Sequence, residues 1–140
     1  MQEQVVAFRS IRAPLQELIA KIPEEKGGFS AWSGGMTITQ LVDHLINSGN
    51  RMVGRQAEAA QSKSLGEARA ALDRNTEEVS ELLASLSQAQ LQETVEALGR
   101  KLTRGQLLGM QRVHESHHKG QLWMMARMVG VEPPFFFKTA

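Results

Sequence analysis

Three times along the chain a hydroxyl residue is followed three positions later by Gln or Glu, just ahead of a run of apolar residues at helical spacing. Thr37 to Gln40, Ser64 to Glu67 and Thr103 to Gln106 each have this form. The hydroxyl caps an amide in the first turn and the longer side chain reaches back, satisfying donors that every helix start leaves open. One such pair is a weak signal. Three, each opening a stretch with a period near 3.6, predict helices near 37–60, 64–87 and 103–129.

An earlier helix is read from Phe8, Ile11, Leu15, Leu18 and Ile22, with Pro14 expected to kink it or start it afresh. Four glycines and a proline between Pro23 and Met36 read as a loop. In the third helix Asn75 is the one polar member of the seam Leu65, Ala68, Leu72, Asn75, Val79, Leu82 and Leu86. It is expected to set helix register or bond a neighbour rather than to line a pocket. Between Gln88 and Leu102 the pattern lapses, and Thr94 to Leu102 reads either as a short hairpin turning near Gly99 or as a loop. Pro133 and Pro134 stop the last helix. Phe135, Phe136 and Phe137 are expected to pack back on the bundle or against a second subunit. Four long helices in 140 residues predict an all-α four-helix bundle, a single domain over 1–140.

The formal net charge of +1 lacks the basic excess of a nucleic-acid binder. Charges from Arg100 to Arg127 run basic, and Arg112, Lys119 and Arg127 are assigned to a solvated face opposite the apolar stripe. With no cysteine, disulfides, thiolate metal sites and a cysteine nucleophile are all excluded. Charged residues interrupt the first 22 positions, so no secretory leader is read there, and no apolar run approaches a membrane span. A cytoplasmic location is expected.

On a wheel of the last helix, Leu107, Met110, Leu122, Met125, Met128 and Val129 share a face, with His114 and His118 placed in its middle. Met110, Met124, Met125 and Met128 are read as core packing. Residues four apart stand roughly 5–6 Å apart on one side, close enough for two imidazoles to share an ion. Each buried ring nitrogen is costly if unpaired, and one divalent transition metal satisfies both. His44 lies at the edge of the apolar face of the second helix, where it could point across the bundle or to solvent. His117 falls on the flank of the last helix, a surface or supporting position. His114-Glu-Ser-His-His118 also fits the H-E-x-x-H motif of zinc proteases, with Glu115 as general base. No further ligand motif follows it and strands to hold a peptide are few, so a protease is disfavoured. Glu115, the one catalytic candidate, could face the site or solvent.

The stretch His114-Glu-Ser-His-His-Lys-Gly-Gln-Leu122 resembles the signature near the end of DinB/YfiT-like proteins. Trp32 followed by Met36 to His44 resembles that family's second helix, and Val129-Gly-Val-Glu-Pro-Pro134 resembles its tail. Lys119 where Arg is common, and Pro14 in the first helix, are departures. The resemblance covers the whole chain. It implies a four-helix bundle, a nickel or zinc ion on His44, His114 and His118, a homodimer, and a small-molecule substrate. It implies a thiol S-transferase that joins a low-molecular-weight thiol to an electrophile, or else a metal-dependent hydrolase or isomerase. A non-catalytic metal- or small-ligand-binding protein is the competing reading.

Overall fold

The computed structural model describes residues 2–139. Four long helices, α1 (Glu3–Lys21), α2 (Ile38–Val53), α3 (Leu65–Ser85) and α5 (Arg104–Met128), form the bundle. A short α4 (Gln88–Gln92) and a two-stranded hairpin, β1 (Thr94–Ala97) with β2 (Arg100–Thr103), precede α5. The hairpin alternative is thus the one adopted. The Thr37 and Thr103 capping boxes form reciprocally, and a fourth, Ser87 with Gln90, opens α4. At α3 the Ser64 hydroxyl accepts from the Glu67 amide, while the Glu67 carboxylate reaches one residue further back, to the Lys63 amide.

Helix α2 ends at Val53, well short of residue 60. Gly54 takes a left-handed φ of 78° and the amides of Gly54 and Arg55 close on Asn50 and Arg51, a C-cap that outweighs the alanines beyond it. The chain from Gly54 then returns in extended form along α2. Asn47 bonds both the amide and the carbonyl of Ala60, and Asp43 accepts from the Ser62 amide and hydroxyl. This return starts α3 at the same end as α2. The helices therefore run with α1 and α5 in one direction and α2 and α3 in the other; α1 and α2 each pack against both α3 and α5.

Pro14 lies inside an unbroken α1. Without a proline amide, the Ser10 carbonyl loses its helical donor. The C-terminal tail supplies one, because the Lys138 amide donates to Ser10 at 3.0 Å. Beside it, Lys119 donates its ammonium to the Ile11 and Phe136 carbonyls, and Trp123 donates to Pro134. The tail thus folds back by its backbone, yet the rings of Phe135 and Phe136 stay largely exposed.

Helix α5 is rotated from the face read in its sequence. Its buried residues are Leu107, Leu108, Gln111, Glu115, Lys119, Leu122, Trp123, Met125 and Ala126. Lys119, assigned to solvent, is buried, and burial pushes its ammonium down to about 8, partly offset by Glu115. Arg112 is half-buried and bonds Gln4, and only Arg127 is exposed as expected. Met124 and Met128, read as core, are exposed. Apolar content misled the wheel here, because polar residues in the middle of α5 have partners inside.

Those partners form a layer across the bundle. Arg12 is 0% exposed, and its guanidinium makes a two-point contact with Glu115, at 2.7 and 3.0 Å. It also donates to Asn75 and Thr76; Asn75 donates to Asn50, and Gln111 donates to Glu115. Apolar clusters lie on either side, one around Leu18, Leu41, Leu72 and Leu122, the other around Phe8, Val53, Val79 and Leu108. Asn75 bonds its neighbours, as its place in the seam predicts. Among the described residues no helix is long and apolar enough to cross a membrane.

Removing one member of this ion pair strands a buried charge, which costs about 3–5 kcal/mol, whereas replacing both with apolar residues costs far less. Arg12→Ala should lose stability on that scale in urea unfolding, and Arg12→Met with Glu115→Leu should recover most of it. Equal losses in the single and double variants would show that the layer is not a coupled pair.

Candidate metal centre

His44 from α2 and His114 and His118 from α5 meet at one side of the polar layer. One ring nitrogen from each lies within 4.8 Å of the other two, and all three residues are half-buried. The Nε2 atoms of His44 and His118 are 3.1 Å apart. Two nitrogens about 2.0–2.1 Å from one tetrahedral ion would stand about 3.3 Å apart, so the spacing suits a shared ion. Ring centroids are 4.6 to 5.1 Å apart and the rings stand edge to face rather than stacked.

A neighbour sets which nitrogen of His118 carries the proton. Gln121 offers its carbonyl Oε1 at 2.7 Å to His118 Nδ1, which must therefore donate, leaving the Nε2 lone pair free towards His44. Ser48 donates its hydroxyl to the His44 carbonyl, and its oxygen lies 3.5 Å from His114 Nδ1. That contact is long for a hydrogen bond and places Ser48 beside the His114 ring without setting its tautomer. Supports of this kind, one bond outside the ligand, hold imidazoles in the orientation a metal needs. Gln121 and Ser48 escaped the sequence reading as functional residues. Their positions, three after His118 and four after His44, are the i, i+3 and i, i+4 neighbours that a helix brings alongside.

Burial pushes the pKa of His44 down, with His118 and Arg51 adding to the effect. Burial also lowers His114, joined by His118, His44 and His117 and opposed by Glu115. His44 and His114 are therefore biased towards the neutral imidazole, the form that binds metal.

The other candidates lie elsewhere. His117 is exposed, and its ring touches that of His118, at 4.8 Å between centroids, without joining the cluster. Glu115 faces neither the site nor solvent. It is 1% exposed, with both carboxylate oxygens held by Arg12 and one also by Gln111. A carboxylate so engaged is not a free base, and the H-E-x-x-H pattern here spells two histidines around a structural glutamate. His114 and His118 themselves stand at the edge of the buried face rather than in its middle, half-exposed where a small molecule could reach them.

Fold and site together define a small helical bundle with a histidine-lined candidate metal centre at its rim. The chain belongs to the DinB superfamily, which it matches over residues 7–122. It is 30% identical over 148 residues to the uncharacterized protein YjoA of Bacillus subtilis, covering 95% of this chain and 94% of that one. The crystal structure of YjoA, a DinB-like protein, superposes with a TM-score of 0.85 at 25% identity, over 98% of this chain and 99% of that one. A DinB-like protein from Bacillus cereus gives a TM-score of 0.80 at 16% identity, with 89% of each chain covered. YfiT from B. subtilis, described as a probable metal-dependent hydrolase with an unusual four-helix bundle topology, gives 0.73 at 17% identity, over 93% of this chain and 87% of that one.

Acid should act on this centre with a definite sign. With the folded pKa values of His44 and His114 below 6.5, the unfolded chain binds more protons once the pH drops past that value. Their contribution is fully present above pH 6.5 and is lost as the pH falls through the lowered folded values. The melting temperature of metal-free protein should therefore fall on moving from pH 7.5 to 5, and less so in a His44→Gln, His114→Gln double variant. An identical pH slope in both proteins would refute the assignment.

Proposed function

We propose that this protein is a metal-dependent enzyme in which His44, His114 and His118 hold one divalent transition ion, nickel or zinc first. Its reaction is the joining of a low-molecular-weight thiol to an electrophile. The convergence of three neutral imidazole nitrogens at a half-exposed edge carries this reading, because three protein ligands leave room for a substrate beside the ion. An ion in such a site lowers the pKa of a thiol or a water that it binds.

The chain's own residues divide the remaining work. His44, His114 and His118 supply the nitrogens, while Gln121 orients His118 by accepting from its Nδ1 and Ser48 packs beside the His114 ring. Glu115 is committed to Arg12, and among the described residues no carboxylate joins the cluster. That favours a nucleophile activated by the ion itself, a condition a thiol meets and a metal-bound water also meets. The sulfur must come from a cosubstrate, since the chain has no cysteine. Metal-dependent hydrolysis is the second reading, favoured by the description of YfiT, whose fold this chain shares. A cytoplasmic location suits a cosubstrate thiol kept reduced.

Metal analysis should find about one first-row divalent ion per chain, lost in His114→Ala and His118→Ala, severely weakened in His44→Ala and retained in His117→Ala. With cobalt(II) in the site, the correct thiol among glutathione, mycothiol and bacillithiol should give a sulfur-to-cobalt charge-transfer band. The same thiol should react with chlorodinitrobenzene or a maleimide faster than without protein, a gain that vanishes in His118→Ala. A cobalt spectrum indifferent to every thiol but perturbed by carboxylates or phosphonates would move the assignment to hydrolysis. Indifference to both would leave a binding protein.

A further inference from the structure

The tip of the hairpin breaks two local preferences at one residue. Ala97 pairs with Arg100, so the turn between the strands is only Leu98 and Gly99, and both have positive φ, 56° and 69°. A two-residue turn with both central residues left-handed strongly favours Asn, Asp or Gly at the first position, where a bulky Leu is disfavoured. Leu98 is also 58% exposed. Neither the turn nor the core gains from a leucine there.

What Leu98 does face is a groove. Its other walls are Met52 from the end of α2, and Met110, Val113, His114 and His117 from α5, around a space of about 530 Å³. Val113 is 71% exposed and Met52 and Met110 are half-buried, so the groove opens to solvent at Val113. Single exposed apolar residues are ordinary; a contiguous set drawn from three elements and converging on one histidine is not. That histidine is His114, which lines the groove and belongs to the three-histidine cluster.

We propose that this groove is the subsite for the apolar part of the substrate. The substrate is then a small molecule with a polar head directed at the cluster and a short aliphatic or aromatic tail lying over Met52, Leu98, Met110 and Val113. The placement of the head rests on the metal-centre reading above; the seat of the tail does not. The volume falls within the ~300–1,000 Å³ of small-molecule sites, and the groove shares His114 with the cluster, so a molecule seated in it lies against one of the three imidazoles. Two methionines in the wall suit tails of varied shape, because the thioether side chain adapts to irregular partners. His117 gains a role as part of the groove wall rather than as a ligand.

Protein labelled with [13C]methyl-methionine tests the groove with and without metal. Adding hexanol to metal-free protein should shift the Met52 and Met110 methyl signals and leave those of Met124 and Met128 in place. In cobalt-loaded protein, alkyl hydroxamates lengthened from acetyl to hexanoyl should bind up to about fourfold more tightly for each methylene buried. Leu98→Asn suits the turn better, so it should keep or raise the melting temperature while flattening the gain with chain length. The proposal is overturned if hexanol leaves Met52 and Met110 unmoved. It is overturned equally if acetohydroxamate binds and affinity is flat with chain length. Failure of every hydroxamate to perturb cobalt, with Met52 and Met110 still responding to hexanol, would instead refute the open metal centre and leave the groove standing.

Discussion

The Arg12 guanidinium and the Glu115 carboxylate meet in the middle of the bundle, each buried at a desolvation cost that the other offsets together with Asn75, Thr76 and Gln111. Burying either charge alone would be prohibitive, so the folded state must bring α1 and α5 together at one height and one rotation. Asn75 and Asn50 extend the constraint to α3 and α2, because each buried amide must also find its partner. The apolar residues above and below could pack in several related ways. Polar atoms with directional partners leave far fewer.

The metal candidate site follows from this layer. Glu115 sits next to His114 in sequence and Lys119 next to His118, and both inward-facing residues are tied to α1, the first through Arg12 and the second through the Ile11 carbonyl. With Glu115 and Lys119 turned inward, one step along the helix turns His114 and His118 to its edge. On α2, Asn50 is anchored inward and His44 lies where it faces them. The motif therefore splits into two pairs on one helix: Glu115 and Lys119 hold the bundle, and His114 and His118 meet His44 at its half-exposed edge.

Helix order contributes as much as helix rotation. Because the chain returns along α2 between Gly54 and Ser64, α2 and α3 run side by side in the same direction, and the hairpin is left as the link between α3 and α5. That link places the Leu98 turn against α5 near His114. At the opposite edge of α5, Pro14 leaves the Ser10 carbonyl free and the C-terminal tail closes on it. A proline that would weaken a lone helix here provides an attachment point.

Local sequence decided the elements. Capping pairs at Thr37, Ser64 and Thr103 set three helix starts, and periodic apolar residues set the class of fold, because both act within a few residues along the chain. Spacing of four also put His114 and His118 on one side of a helix. The end of α2 was legible in Gly54, but its effect competes with the helix-favouring alanines that follow it. The buried face of α5 was not legible. Helix periodicity assigns Lys119 to solvent and leaves Glu115 between site and solvent, and only the arrival of Arg12 from one hundred and three positions away, and of the Ile11 carbonyl, makes their burial stable. Whether His44 crossed the bundle or faced water, whether Glu115 was a base or a strut, and what Leu98 faces all depended on which helices became neighbours. Those are properties of contacts between distant segments, which no local pattern of residues encodes.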